Sequence, residues 1–319
     1  MDLIIQSVLP IFALVVLGYS AGRFRWVADV TEKGLADFTF KLAIPALLFK
    51  TMATAELPET PPYLIWAAYF GSVLTGWLIM TALVPLLLRR PLVDSAPIAM
   101  SACFGNVVMV GIPLCLNAVG PSAAGPIAVI ISLHSPVLWT IASTHLAITN
   151  RSAAKPFGES VKDLVRDLSR NTIIIAILAG TAWRLTGIGL HPVAENSLAY
   201  LGQAAIPCAL VSLGLSLVGF QIKGQAPTLT AILIVKLALL PMIAFWISVS
   251  VLALPAGTAA VVVIFAAMPT GVNAYLFAVQ NGRAMNSASG AIALGTILSV
   301  LTASVLTALL TGSILAPRP

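Results

Sequence analysis

"FGNVVMVGIPL", residues 104–114, interrupts a run that is otherwise almost purely apolar. A helix that only has to sit in lipid gains nothing from the Asn106 amide, Gly105, Gly111 and Pro113. The chain around this stretch has 319 residues, 59% of them hydrophobic and 9% charged, with a mean hydropathy of +1.01. A soluble core cannot bury that much apolar surface, so the composition is that of an integral membrane protein. The apolar runs are long and continuous, which excludes the ten-residue alternation of an outer-membrane barrel. Met1-Asp2 supplies no basic leader, and the first apolar run continues to Gly22, so no cleavable signal peptide is expected. Cys103, Cys115 and Cys208 lie within apolar segments at no ligand-type spacing and read as small core residues, not a metal site.

A spanning helix needs about 20 apolar residues. Measured with that ruler, the sequence has runs at 3–22, 35–53, 63–88, 95–118 and 122–148, then at 171–187, 197–219, 227–253, 257–280 and 285–315. Ten spans are therefore expected. With the N-terminus outside, the inside loops hold Arg23, Arg25, Lys33, Arg89, Arg90, Arg151, Lys155, Lys162, Arg166, Arg170, Lys223 and Arg283, and the outside only Arg184 and Arg318. The net charge of +6 thus marks inside loops of a multi-pass inner-membrane protein, and no nucleic-acid partner is expected. Val161, Leu164, Val165 and Leu168 recur at helical spacing within 149–170, which reads as an amphipathic helix on the cytoplasmic surface against membrane lipid.

That loop divides the chain into residues 1–148 and 171–319. "AIPALLF" (43–49) in span 2 has a counterpart in "AIPCALV" (205–211) in span 7, with Pro45 and Pro207 162 residues apart. Five spans per half is an odd number, so the second half must be inverted relative to the first, the construction plan of many secondary transporters. Span 9 answers span 4 in the same way. "AAMPTGVNAYLF" (266–277) brings Pro269, Thr270, Gly271 and Asn273 together, as span 4 does Asn106, Gly111 and Pro113. Proline removes a backbone donor and clashes with the preceding turn, while glycine eases departure from helical dihedrals. An unwound segment in lipid leaves polar groups bare at several kcal/mol each, so it survives only inside protein or beside a polar cavity. Single kinks and a buried Asn are common packing devices in membrane helices; paired interruptions in corresponding spans point to a midplane site. Half-helix N-termini there suit an anion, and Asn106 and Asn273 offer hydrogen bonds to a carboxylate without a buried counter-charge.

Lys236 sits about ten residues into span 8, near mid-membrane at about 1.5 Å per residue. It could attract an anionic substrate, stand where a coupling sodium would, or hold the carbonyl ends of a broken helix. Asp37 and Lys41, one turn apart at the inner end of span 2, read first as a local pair. Asp37 is expected to be the only carboxylate within or beside a span, and so the place to look for proton coupling. Lys50 can snorkel to the outer interface. His134 and Ser135, before Pro136 in span 5, are secondary binding candidates. No His-Glu-x-x-His, paired aspartates, Gly-x-Ser-x-Gly or Walker loop is present, so the chain is not expected to be an enzyme and no cofactor is expected.

The ordered series "LPIFALVVLGYSAGR" (9–23), "KLAIPALLF" (41–49), "GNVVMVGIPL" (105–114), "SLGLSL" (212–217), "KLALLP" (236–241) and "AMPTGVNAYLFA" (267–278) resembles the auxin efflux carrier family, whose bacterial members include malonate and malate carriers. The resemblance implies an all-α membrane fold of two inverted five-helix repeats. It implies that the broken spans 4 and 9 cross, as in bile-acid symporters and sodium–proton antiporters. It also implies a mobile unit of spans 3–5 and 8–10 moving elevator-fashion on a scaffold of spans 1, 2, 6 and 7 that pairs into a homodimer. Asn106 matches the substrate-contacting Asn of the plant carriers; Asn273 falls where those carriers hold other residues. Their long cytoplasmic loop is replaced here by residues 149–170, which argues against auxin itself as the cargo. The expected function is a secondary carrier of a small mono- or dicarboxylate such as malonate or malate, with proton symport, sodium symport and uniport all open. A membrane receptor that binds the anion without moving it is the alternative.

Overall fold

The computed structural model describes residues 2–54, 60–150, 172–220 and 226–313, and these are almost entirely helical. The amphipathic linker expected over 149–170 lies, from Arg151 onward, outside the described residues. Helices α1 (Asp2–Arg23), α2 (Val30–Phe38), α3 (Ile44–Thr54), α4 (Pro62–Leu86), α5 (Ser95–Cys103), α6 (Ile112–Ala118) and α7 (Ala124–Thr149) make up the first half. The second half contains α8 (Thr172–Leu185), α9 (Pro192–Leu217), α10 (Ala226–Ile234), α11 (Leu240–Phe245), α12 (Ala256–Ala266), α13 (Val272–Gln280) and α14 (Met285–Ser313). Each apolar run of the sequence falls on helix. Among the described residues, five uninterrupted helical stretches are long and apolar enough to cross a membrane: Pro62–Leu86, Pro121–Thr149, Pro192–Leu217, Ala226–Val251 and Met285–Leu310. Their outward faces carry exposed Leu78, Tyr200, Met242 and Leu301, as a lipid-facing surface requires.

Prolines shape three of the helical stretches in the same way. A single wide π-type turn precedes Pro45 (Thr39–Ala43), Pro113 (Val107–Gly111) and Pro241 (Val235–Leu239). A proline ring collides with the carbonyl four residues back, and shifting to i−5 bonding opens the turn enough to relieve that collision without ending the helix.

Two helix pairs approach through glycine. A Cβ at Gly18 of α1 would stand 2.2 Å from the Val211 carbonyl oxygen, and one at Gly214 of α9 would stand 2.1 Å from that of Val15. A Cβ at Gly180 of α8 would meet the Phe49 carbonyl oxygen of α3 at 2.6 Å. Backbone lies directly on backbone at both contacts, the small-residue packing by which helices associate in lipid.

The inner-loop charges correct one sequence expectation. Asp37 is not the only carboxylate beside a span: Asp94, at the start of span 4, is 6% exposed. Its Oδ2 accepts from Arg90 Nη2 at 3.1 Å and its Oδ1 from Arg283 Nη1 at 2.9 Å. The loops before α5 and after α13 therefore lie on the same side, as the charge pattern requires. Asp94 was overlooked because "RRPLVDSAP" reads locally as a polar loop, and its burial depends on Arg283, 189 residues away. Asp94→Asn keeps the shape but leaves two guanidinium groups without a counter-charge. The Arg side chains are 21% and 38% exposed, so solvent screens part of the loss. The expected cost is about 1–2 kcal/mol, read as a lower melting temperature in detergent at low salt that converges on wild type as salt is raised.

Candidate functional site at the paired helix breaks

Span 4 and span 9 both come apart at their centres, and the two gaps face each other. Helix α5 ends at Cys103, after which Phe104 is extended and Asn106 caps the next turn. Helix α12 ends at Ala266, and Gly271, also extended, precedes α13. The unwound segments pair antiparallel, Gly105 against Thr270. The Asn106 amide donates to the Pro269 carbonyl at 2.7 Å, and the Gly271 amide to the Phe104 carbonyl at 2.9 Å. Glycine is needed for this approach: a Cβ at 271 would lie 3.1 Å from the Gly105 carbonyl oxygen, and one at 111 would lie 3.0 Å from the Phe265 ring.

Interrupting a helix frees carbonyls that must find donors when no water is at hand. Five of them have one here. Phe104 and Pro269 are served by the cross-strand amides. The Ser101 carbonyl accepts from Thr270 Oγ1 at 2.8 Å, and the Ala266 carbonyl from Lys236 Nζ at 2.9 Å. Gly105 presents its carbonyl to His134 Nε2 at 3.2 Å, while His134 Nδ1 lies 3.0 Å from Tyr69 Oη. A carbonyl can only accept, so Nε2 carries the proton and Nδ1 receives the tyrosine hydroxyl's. Thr270, His134, Lys236 and Tyr69 are all at most 2% exposed.

The donor side does not close. Asn106 Oδ1 accepts from the Met109 amide at 3.3 Å, an N-cap that sets which way the side-chain amide points. Its Nδ2 is then a buried donor with no partner among the described residues. The first turns that follow both breaks add amides with no intrahelical acceptor. What the Asn106 side chain lacks is an acceptor. A carboxylate oxygen would supply it.

Of the residues singled out in the sequence, Asn106, Pro269, Thr270, Gly271, His134 and Lys236 meet at this crossing, with Gly111 packed against Phe265 beside it. Pro113 lines a narrow apolar crevice with Val108 and Ile112, facing Ile44 and Leu47 of one "AIP" motif and Ala205, Ile206 and Ala209 of the other. Asn273 and Ser135 are half-buried and make no side-chain hydrogen bond among the described residues. Asp37 and Lys41 pair with each other at 2.8 Å and are half-exposed, away from the buried crossing. Lys50 reaches Glu195 at 3.5 Å. Tyr69 and Ser101 were not anticipated. Neither type stands out in an apolar helix, and both matter only through a partner brought close by the fold.

Comparison with known proteins gives the family. A family model described as "Membrane transport protein" matches residues 3–307. The chain is similar to a protein of Rhizobium meliloti named "Putative malonate transporter", 28% identical over 92% of each chain. An "Uncharacterized transporter" of Methanothermobacter thermautotrophicus is 26% identical over 93% of this chain and 95% of its own. A mouse "Lysosomal cholesterol signaling protein" is 24% identical over 74% of this chain, which spans only 29% of that longer protein.

Proposed function

The chain belongs to the membrane transport protein family, that of the auxin efflux carriers, and from that premise we propose that it is a secondary carrier of a small organic anion. The cargo is a carboxylate or dicarboxylate such as malonate or malate. The observation that carries the reading is a buried Asn106 Nδ2 without a partner among the described residues, beside two half-helix N-termini. The name of the Rhizobium relative favours malonate as the first cargo to test.

In this reading the ten spans form two inverted repeats. The α1–α9 and α3–α8 contacts, which an inverted repeat would interchange, belong to the scaffold, whose helices would pair into the homodimer. The mobile unit carries the crossing, and it slides elevator-fashion past the two "AIP" motifs. The wholly apolar crevice between Pro113 and Ala205, Ile206 and Ala209 suits such a sliding surface, since no hydrogen bond has to break along it. His134 and Thr270 hold the carbonyl side rigid so that the donor side stays preorganised for the anion. No bond is made or broken, so the protein is not an enzyme.

Proteoliposomes containing the protein are expected to accumulate labelled malonate, with flux that saturates and is inhibited by unlabelled malonate. The mouse relative's name gives the receptor alternative one point of support. Malonate binding without flux would establish that alternative and remove the carrier reading.

A further inference from the structure

Lys236 is buried to 1% exposure in an apolar helix. Its Nζ lies beside the paired breaks. It donates to the carbonyl of Ala266, the last residue of α12, and a Cβ at Gly105 would lie 3.2 Å from it. Gly105 follows the C-terminus of α5 by two residues, so the ammonium sits where both half-helices end. The C-termini of two half-helices concentrate negative dipole charge there. In broken-helix carriers, unwound carbonyls and half-helix C-terminal ends are the groups that coordinate a coupling cation.

We propose that Lys236 is a resident cation of the crossing, its tethered ammonium filling the place between the two half-helix C-termini that a coupling sodium would otherwise occupy. Transport then requires no sodium, because the compensating charge is already covalently present and cannot leave. The glycine at 105 borders this site, its missing Cβ 3.2 Å from the ammonium. No carboxylate neutralises Lys236 among the described residues. Its charge is therefore balanced by the helix ends. The proposal rests on the carrier reading for its consequence on flux, but not for the cation site itself.

The site is tested by thermal unfolding of the full chain in detergent and choline chloride. Lys236→Ala is expected to melt about 5 °C or more below wild type. n-Propylammonium chloride, which restores the atoms that truncation removes, should recover at least about half of that loss, while n-propanol of the same size recovers none. Lys236→Met, which fills the space without charge, should melt low and gain nothing from propylammonium. Rescue by propanol as good as by propylammonium, or a Lys236→Ala protein as stable as wild type, would overturn the assignment. For flux, wild-type uptake of labelled malonate is expected to change less than about twofold when choline replaces sodium, and a loss of more than about tenfold would refute the resident-cation role. Absence of malonate uptake in both salts would count against the carrier reading, while the melting experiments still decide the site.

Discussion

Gly214→Val is expected to lower the stability of the protein more than any other single change considered. The α1 backbone occupies the space a side chain would need: a Cβ at 214 would stand 2.1 Å from the Val15 carbonyl oxygen and 2.6 Å from the Tyr19 amide nitrogen. Neither is the movable end of a side chain, so relief requires the two helices to separate along their contact. Overpacking of this kind costs about 3 kcal/mol, at the upper end of the usual range because backbone has to move. The measurement is the melting temperature in detergent. Gly34→Val, whose glycine has nothing within 4 Å of the added Cβ, serves as the control that should change little. Equal melting of the two variants would show that the α1–α9 contact is not tight in solution.

The largest functional effect is expected at Asn106, where two roles can be separated. Asn106→Asp keeps the oxygen that caps the Met109 amide, and aspartate caps as well as asparagine. It removes the Nδ2 donor and sets an acceptor, or a negative charge, against the incoming carboxylate. The loss of one hydrogen bond to a charged group is worth about 1.5–3 kcal/mol, so malonate uptake at low concentration should fall about 10- to 100-fold. Asn106→Ala loses both the cap and the donor and should show the same functional loss together with a lower melting temperature. An Asp variant that transports like wild type would place the anion elsewhere.

How much of this was legible before folding depends on the range over which each residue acts. Pro, Gly and Asn at 106–113 and 269–273 announce an interruption because their effect on a helix is local, a lost donor or an eased dihedral. The same holds for Lys236, conspicuous against an apolar background. Asp37 with Lys41 was readable as a pair one turn apart, and is one. Asp94 was not readable, because a carboxylate in a loop beside two arginines carries no sign of burial until Arg283 arrives from the other half of the chain. Tyr69 is an ordinary aromatic of an apolar span until His134 turns toward it.

By itself, the sequence determined that this is a helical membrane protein and at which two places its apolar helices come apart, since hydropathy and helix breaking are properties of a few neighbouring residues. Only the tertiary structure decided which donor serves which freed carbonyl. Thr270 serves Ser101 across 169 residues, Lys236 serves Ala266 from a separate helix, and Asn106 is left with one donor to spare. That assignment could not be read along the chain, because a buried hydrogen bond is set by which segments pack together, and the backbone pairing at Gly105 and Thr270 exists only once the two halves meet.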